Sequence, residues 1–440
     1  MHHGGVFRKL LFLHDINPRY SDLQMQVKTI LNSIEKHKSF VYQDVRWSPG
    51  KEGKELEVPI EPRTNSKPIC SGCGKKCSGY DLLNARRFEH VPLFGIPVFF
   101  VYAMRRANCR ECGVKVERVP WADGKNEQTN SYRLFLATWA KRLSWQEVAR
   151  TFGTSWDSVY RAISWVVCYG IVMRDLHSIT SIGVDEIQYR RGHKYLTLVY
   201  QLDEGEKRLL YVAEARTEES LNGFFNRLDE TTQKGIKFAC TDMWPAYLKV
   251  LKKRVPQALN ILDRFHISKK FGEALDKVRA EESRQLKKDG YEEVLKHSRW
   301  CLLKRKENLT SKQTVKLSEL LKQNLQSVKA YLMREDFNRF WTYKSATWAG
   351  KFLREWCTRA SQTNIEPMKA IAKTLRKHEG LLLNWFESKG LSSGVVEGFN
   401  NKAKLTMRKA YGFKEFETIQ VALYHQLAKL PEPKSTHRYC

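Results

Sequence analysis

Two pairs of cysteines constrain the fold of this chain more than any other feature. Cys70 and Cys73 are separated by two residues, and so are Cys109 and Cys112. Each pair can present two thiolates to one metal ion, and four thiolates match the tetrahedral coordination of a structural Zn²⁺. Four buried reduced cysteines are the weaker alternative, because two matched pairs rarely arise by chance. The sequence therefore predicts a closed zinc site that ties the two pairs together.

Glycines and a ribbon complete this module. Gly74 and Gly113 directly follow the two pairs and suit tight turns that point backbone amides at the sulfurs. Between the pairs, apolar and basic residues alternate on either side of a turn at Gly95, a pattern typical of a two-stranded ribbon. Cys77 and His90 lie nearby, but isolated Cys and His residues are more often packing residues. Neither is predicted as a ligand.

The composition favours a polyanionic partner. Of 440 residues, 76 are Lys or Arg and 48 are Asp or Glu, which gives a formal net charge of +28. A solvated basic surface is the alternative when charge is considered alone. The ribbon adds arginines that can rest against phosphates, and Arg105 and Arg106 are predicted to contact DNA. A zinc module that carries arginines favours DNA over a small molecule.

The sequence contains no signal for a membrane protein. No run approaches the ~20 continuous apolar residues that cross a bilayer, and the first residues lack the pattern of a signal peptide. A cytoplasmic location without a membrane partner is expected, and its reducing conditions argue against a disulfide framework. The length predicts about two to four domains.

A pair of helices is predicted at residues 143–167. Ser144 can cap the first helix, with Glu147 in the capping-box position, and Gly153 can supply the turn. This is the grammar of a DNA-binding helix-turn-helix, with an ordinary helical hairpin as the alternative. The candidates for DNA contact at the second helix are Ser155, Asp157, Ser158 and Arg161.

An α/β pattern follows. Apolar runs predict strands in SIGVDEIQYR, KYLTLVYQL, RLLYVAEA and IKFACTD, with a helix before the last of these. From residue 267 to about residue 390 the chain turns helical and Lys-rich, with hardly any strand signal. The sequence therefore predicts a multidomain α/β chain with a large helical insertion.

Three carboxylates are candidate metal ligands. Asp185 and Asp242 follow apolar strand starts, so their side chains meet if the two strands are adjacent and parallel. Glu397 falls on a helix that Ser392 or Ser393 can cap. Mg²⁺ takes few protein carboxylates together with water and phosphate oxygens, and a two-metal site promotes in-line phosphoryl displacement.

Each acid also has an ordinary explanation. Asp242 can cap the helix that begins near Pro245, Asp185 can be a loop acid, and Glu397 can be a solvated helix residue. Asp203 and Asp263 compete as strand-end acids, although Asp203 lies in a predicted hairpin turn.

Taken in order, these motifs resemble the transposases of the bacterial ISL-three family. The resemblance covers roughly residues 66–425 and is carried by CSGC, RRANCREC, the helix pair, GVDEIQYRRGHKYLTLVYQLD, FACTDMWPAY, NILDRFHI and GVVEGFNNKAKLTMRKAYGF. It implies an RNase H-like catalytic core whose DDE triad, Asp185, Asp242 and Glu397, binds Mg²⁺ or Mn²⁺. It also marks His266 as an active-site neighbour.

The expected domains follow from these motifs. They are an N-terminal segment of unknown role (1–65), the zinc module (66–120), the helix-turn-helix (121–175), the first part of the core (176–266), the insertion (267–390), and the last part of the core with the C-terminal tail (391–440). Within the last part, Asn401, Lys404 and Arg408 are expected to face DNA. Trp341 and Trp348 of the insertion either stack on a displaced base or belong to a helical core.

The resemblance implies that the chain binds the terminal inverted repeats of its element. Cleavage frees a 3′-OH that attacks target DNA in a second in-line displacement. Since two ends are cut together, a homodimer or larger homo-oligomer on double-stranded DNA is expected, associated with the nucleoid. The alternatives are a DNA-binding regulator that no longer cuts, and a nuclease or resolvase without strand transfer. A zinc hydrolase is disfavoured because four cysteines close the site.

Overall fold

The computed structural model describes residues 27–50, 53–291, 293–388, 394–409, 413 and 415–434. The chain forms two compact units. The first comprises Met1–Tyr169 with Glu432–Cys440, and the second comprises Gly170–Pro431. The predicted cap at Ser392 or Ser393 lies outside the described residues.

The first unit is built on a six-stranded sheet that follows helix α1 (Val27–Ile34). Its strands are β1 (Phe40–Tyr42), β2 (Arg46–Gly50), β3 (Gly53–Pro62), β4 (Ser78–Leu93), β5 (Ile96–Cys109) and β6 (Gly113–Val116). Their order is β1-β3-β5-β4, with β2 paired to β3 and β6 paired to β5. Strands β4 and β5 are antiparallel, which confirms the predicted ribbon, and Phe94 and Gly95 between them have positive φ.

This sheet extends across the boundary expected near residue 65. Strand β3 pairs in parallel with β5, and β1 pairs with β3. Phe40 of β1 and Tyr102 of β5 both pack edge-on against the buried Trp121, with ring centroids 4.9 and 5.3 Å away. Strands on both sides of residue 65 therefore share one aromatic core. Residues 40–62, which the sequence left without a role, form part of the same sheet as the cysteine module.

Three helices follow the sheet, and the last two confirm the predicted pair. They are α2 (Asn130–Ala140), α3 (Trp145–Thr151) and α4 (Trp156–Met173). Ser144 caps α3, and its capping box with Glu147 is complete. Gly153 has a φ of +62° in the turn, while Val148 and Ile163 are buried. The capping box and the glycine turn within this segment thus account for the helix pair.

The second unit contains a five-stranded sheet in the order β11-β10-β7-β8-β9. Its elements are β7 (Ser181–Arg190), β8 (Lys194–Gln201), β9 (Arg208–Glu214), α5 (Glu218–Phe225), α6 (Glu230–Gly235), β10 (Phe238–Thr241), α7 (Pro245–Arg254) and β11 (Leu259–Leu262). Strands β7, β8 and β9 form an antiparallel meander, whereas β10 and β11 run parallel to β7. The predicted strands and the intervening helical segment are confirmed.

A helical segment follows β11. Its helices are α8 (Arg264–Lys288), α9 (Arg299–Leu303), α10 (Ser311–Leu320), α11 (Gln326–Phe337), α12 (Ala346–Ser361), α13 (Glu366–Lys377) and α14 (Glu379–Glu387), with 3-10 turns at Lys306–Asn308 and Asn338–Thr342. Phe271 and Trp356 contribute to one hydrophobic core, and Trp341 packs within it against Trp385. Trp341 is therefore a core residue, whereas Trp348 is 61% exposed.

The chain then returns to the sheet. Helix α15 (Gly394–Lys409) packs on β7, and α16 (Phe416–Leu427) packs on β9. A Cβ atom at Gly183 of β7 would lie 2.6 Å from Cγ2 of Val396, so the close approach of α15 requires glycine at that position. Among the described residues, no helix combines the length and apolarity needed to cross a membrane.

Candidate functional site

Three aspartates lie near one another along the three parallel strands of the second unit: Asp185 lies within β7, whereas Asp242 and Asp263 directly follow β10 and β11. Strand β10 pairs with both β7 and β11, and its last residue, Thr241, lies opposite the residues that precede Asp185 and Asp263. Asp242 follows Thr241. Since neighbouring strands lie about 4.8 Å apart, the register brings the three carboxylates together. The sequence predicts that Asp185 and Asp242 meet if their strands are adjacent and parallel. Strands β7 and β10 satisfy that condition.

Asp185 is held by groups from two directions. One carboxylate oxygen accepts the backbone N–H of Glu186 at 2.8 Å, and the other accepts Nδ2 of Asn400 at 2.5 Å. Burial raises the pKa of Asp185 to about 6, and the nearby charge of Asp242 acts in the same direction. The strand therefore holds an acid that is poorly solvated and oriented by its neighbours.

Asn400 links α15 to this strand. Its Oδ1 accepts the hydroxyl of Tyr200 at 2.8 Å, and the Tyr200 ring stacks on Phe399 with centroids 4.9 Å apart. Glu397 lies three residues earlier, so the two side chains share one face of the helix. Glu397 lines a cleft of about 980 Å³ together with Asp185. The anchoring of Asn400 thus presents Glu397 to the strand-end aspartates.

Asp242 combines two roles that the sequence left open. One of its oxygens accepts the backbone N–H of Trp244 at 2.8 Å, in the turn before α7 and its first residue, Pro245. Burial raises its pKa, and the charge of Asp263 adds to the effect. Its other oxygen makes no hydrogen bond to a described residue. Asp242 shapes the start of a helix and keeps one oxygen for another ligand.

A fourth acid, Glu186, lines the same cleft. Burial and the charges of Asp242 and Asp185 raise its pKa to about 7. Its Oε1 lies 3.5 Å from Nη1 of Arg216, whose guanidinium lies 4.3 Å from the ring centroid of Trp244. Several acids therefore share this cleft, and the repulsion between Glu186, Asp185 and Asp242 favours a bound cation.

His266, in the first turn of α8, places an imidazole next to these acids. Nδ1 lies 3.1 Å from Oδ2 of Asp263, and Nε2 lies 3.9 Å from Oδ1 of Asp185. Burial alone would lower the pKa of His266, but the hydrogen bond to Asp263 and the charges of Asp185 and Asp242 raise it to about 9. His266 is therefore protonated at neutral pH and faces the acids. The structure places it at the predicted site.

The exposed face of α15 continues the cleft. Asn401, Lys404 and Arg408 are exposed and line the cleft with Glu397. Their spacing of three or four residues puts all of them on one side of the helix. The structure thus brings the predicted DNA-facing residues of α15 next to the carboxylates.

The first unit carries the cysteine cluster. The sulfur atoms of Cys70, Cys73, Cys109 and Cys112 all lie within 4.8 Å of one another, and those of Cys73 and Cys109 are 3.5 Å apart. A zinc ion with Zn–S bonds of about 2.3 Å separates its ligand sulfurs by about 3.8 Å in tetrahedral geometry. The donor set and its dimensions therefore fit Zn²⁺.

Backbone geometry supports these ligands. Gly74 and Gly113 have φ values of +73° and +71°, as the predicted tight turns require. Hydrogen bonds from the backbone amides of Cys112 and Glu111 lower the pKa of Cys109 to about 6. Cys77 lies outside the cluster, and its thiol contacts the carbonyl oxygen of Lys75 at 3.4 Å.

The two ribbon arginines differ. Arg105 donates from Nε and Nη2 to the buried Glu117 and from Nη1 to the carbonyl of Ser66, and its side chain is 11% exposed. Its guanidinium is thus engaged within the module, and its contact with DNA stays a prediction. Arg106 pairs with Asp81 and is 37% exposed.

The predicted contact residues of α4 lie near its start. The Oγ atom of Ser155 accepts the backbone N–H of Ser158 at 3.1 Å and so caps the helix. Ser155, Asp157 and Arg161 are exposed, and Ser158 is half-buried. These positions suit contact with a partner, which remains a prediction.

Comparison with known proteins identifies the family. A family model for the ISL-three transposases, described as "Transposase", matches residues 182–423, which include the sheet edge, the helical segment and α15. The chain belongs to the ISL-three family of transposases. The expectation from its motifs is thereby confirmed.

Relatives from this group extend over most of the chain. The transposase for insertion sequence element IS1001 from Bordetella parapertussis is 28% identical over 394 residues, which cover 89% of this chain and 96% of that protein. The transposase for insertion sequence element IS1557 from Mycobacterium tuberculosis is 27% identical over 393 residues, covering 84% of this chain and 87% of that protein. The similarity thus includes the cysteine module as well as the region that the family model matches.

Some members of the site escaped the sequence reasoning. Glu186 stands next to Asp185 and so had a local signal, whereas Asp263 was considered only as a competing strand-end acid. Tyr200 had none, because its contact with α15 depends on the pairing of β8 with β7 and on the return of a helix from far along the chain.

Proposed function

We propose that the chain cuts the ends of its insertion sequence and joins them to target DNA, using divalent ions held by Asp185, Asp242 and Glu397. The observation that carries this proposal is that Asp185 and Glu397 line one open cleft, while the pairing of β10 with β7 brings Asp242 next to Asp185. The sheet order, three antiparallel strands followed by two strands parallel to the first, supports an RNase H-like core.

The residues at this edge fit Mg²⁺ or Mn²⁺. They are oxygen donors, and burial together with repulsion from neighbouring aspartates, including Asp263, raises the pKa values of Asp185 and Asp242. When bound, divalent ions activate the attacking oxygen and stabilise the leaving oxygen of an in-line displacement at phosphorus. Few protein carboxylates are needed, because water and phosphate oxygens complete the coordination of Mg²⁺.

The chain's own residues orient the DNA. Protonated His266 offers a positive charge to a phosphate beside Asp185. Lys404 and Arg408 extend this attraction along the exposed face of α15. Recognition of the terminal repeats is assigned to the start of α4 and to the zinc module, with Arg106 at its surface. Holding two ends at once calls for a homodimer or larger homo-oligomer.

A DNA-binding regulator derived from a transposase is the alternative. It would keep the zinc module and the helix pair but would have no need of the carboxylates. The retention of all three acids favours the enzyme: Asp185 and Glu397 line one cleft, Asp242 follows the strand next to Asp185, and Asn400 holds Asp185. The four-cysteine cluster has no open position and is assigned a structural role.

The test uses a labelled DNA fragment that carries the element's end, with Mg²⁺ or Mn²⁺. Asp185→Asn, Asp242→Asn and Glu397→Gln are each expected to cut at least about 1000-fold more slowly, because the bound ions stabilise the transition state by several kcal/mol. Asp203→Asn is the matched control, since Asp203 hydrogen-bonds to Thr180 outside the cleft and cutting should continue.

The affinity of each variant for the same DNA separates chemistry from binding. It should stay within a few-fold of the wild-type value. Cutting by all three carboxylate variants at the wild-type rate would overturn the proposed triad. Tight binding by the wild type without cleavage under either metal ion would establish the regulator instead.

A further inference from the structure

A groove next to the catalytic cleft is not used by the chemistry proposed above. It lies in the second unit between the first turns of α8 and helix α9 and encloses about 880 Å³. Phe265, Lys269 and Glu397 line both this groove and the cleft. A DNA strand whose phosphate lies at the carboxylates therefore has the groove within reach of its next nucleotides.

The groove has exposed aromatic walls. Trp300 of α9 is 53% exposed and Phe265 of α8 is 45% exposed, although large aromatic side chains are usually buried. Gly272, about two turns beyond Phe265 on α8, also lines the groove, and a Cβ atom placed there would meet no other atom within 4 Å. The surface that links the two rings is thus open to a flat ligand.

Cations surround these rings. Arg264 and Arg305 line the groove, and neither makes an ion pair within the part of the chain that the structure describes. Burial lowers the pKa of Arg264, and repulsion from the Arg305 guanidinium lowers it further, so an anion near these two groups would relieve the repulsion. Asp276, an acid of the groove, is already paired with Arg299 at 2.9 Å.

Aromatic faces among cations are the features that bind single-stranded nucleic acid. Bases stack on the rings, and basic side chains follow the phosphates. Bases of an intact duplex already stack on both sides and cannot enter such a groove unless they leave the helix. The cations of the groove therefore favour a polyanion, and its exposed aromatic rings favour unpaired bases.

We propose that this groove binds unpaired nucleotides of the DNA strand next to the bond that is cut, with a base stacked on Trp300 and a phosphate at Arg264 and Arg305. The assignment rests on the proposed function for its position beside the carboxylates. Trp341, which the sequence offered for this role, is buried, and Trp348 is absent from the groove lining.

The probe is a fluorescein-labelled strand of twelve thymidines, compared with a labelled duplex of twelve base pairs. Fluorescence anisotropy with the full-length protein is measured at ~0.3 M salt, where phosphate contacts elsewhere on the basic chain are weakened. Trp300→Ala should weaken binding of the single strand about fivefold to 150-fold, the equivalent of 1–3 kcal/mol for one stacked base. Its affinity for the duplex should change less than about twofold.

Three further variants complete the design. Gly272→Leu adds a side chain at a groove position where a Cβ atom has no neighbour within 4 Å, and should reduce single-strand binding in the same way. Trp300→Phe keeps a flat ring and should restore most of the affinity. Trp348→Ala removes a tryptophan that is as exposed but lies outside the groove lining, and should have no effect.

The proposal is overturned if Trp300→Ala and Gly272→Leu bind the single strand as the wild type does, or if the wild type does not prefer it to the duplex at this salt concentration. Asp185→Asn, which tests the catalytic triad, should bind the thymidine strand normally. Loss of cutting and loss of single-strand binding therefore report on separate claims.

Discussion

The cysteine cluster and the carboxylate cluster bring their ligands together by different routes. The four cysteines come from two short segments of one module, each with two ligands three residues apart. The carboxylates come from β7, the end of β10 and α15, and the helical segment lies between the last two. Short spacing makes the first cluster readable from the sequence, whereas the second depends on strand register and on a returning helix.

The same difference separates a closed site from an open one. The cysteine sulfurs surround a space of the size of one zinc ion. Asp185 and Glu397 line a cleft of about 980 Å³, where solvent and a phosphate backbone have room. A locally encoded site suits a structural ion, and a site assembled from distant segments leaves space for a substrate.

The largest effect is expected at the cysteine cluster. Cys109→Ser leaves three thiolates, and the full-length protein should lose its zinc and unfold the cysteine turns. A structural zinc contributes about 10–16 kcal/mol in zinc-finger peptides, so a loss of several kcal/mol is expected in a module that also has an aromatic core. Metal analysis and thermal unfolding would measure both changes.

Cys77→Ser is the matched control for that experiment. Cys77 lies in the same module but outside the cluster, so its replacement should leave the zinc content and the melting temperature unchanged. The reverse pattern, with zinc lost only on replacement of Cys77, would show that the ligand set is wrong.

An intermediate effect is expected at Asn400. Asn400→Ala removes the hydrogen bond that orients Asp185 and should slow DNA cutting about 10- to 100-fold, the usual cost of losing a residue that positions a metal ligand. The divalent metal concentration required for cutting should rise in parallel.

Asn401→Ala provides the comparison, because Asn401 is the next residue on α15 but is exposed in the cleft. Its replacement should weaken DNA binding only a few-fold and leave the metal requirement unaltered. Equal metal requirements in the two variants would contradict a positioning role for Asn400.

The smallest effect is expected at the cap of α3. Ser144→Ala removes the side-chain acceptor of the capping box and should cost about 1 kcal/mol of unfolding free energy. Urea denaturation of the full-length protein would detect it in the transition of the first unit. Glu147→Gln retains a capping-box residue, so a loss as large as that of Ser144→Ala would argue against the cap as the cause.

The sequence predicted the features that depend on neighbouring residues better than those that depend on distant segments. The ribbon, the glycine turns and the helix pair depend on neighbouring residues, and the structure contains all of them. The role of Arg105 was not predictable, because its partner Glu117 meets it only after β5 pairs with the chain beyond β6. The burial of Trp341 likewise depends on Trp385, which lies in another helix.

At the catalytic edge, the sequence supplied candidates without their arrangement. Strand-end aspartates follow from the pattern of apolar runs, but their side-by-side position requires the order β11-β10-β7. Glu397 carries no strand or turn signal of its own, and its assignment came from the family resemblance. The structure adds the anchor, Asn400 with Tyr200, that holds its helix against the sheet.

Helix α8 begins at the catalytic edge and ends deep in the insertion. Asp263 caps it, His266 occupies its first turn, and Phe271 and Leu275 are fixed in the core of the helical segment. At 25 residues it is about 38 Å long. Because one helix carries both His266 and these core residues, a tilt of the helical segment would displace the imidazole of His266 relative to Asp185. Exchange of this segment between relatives is therefore expected to change the position of the imidazole even with every carboxylate in place.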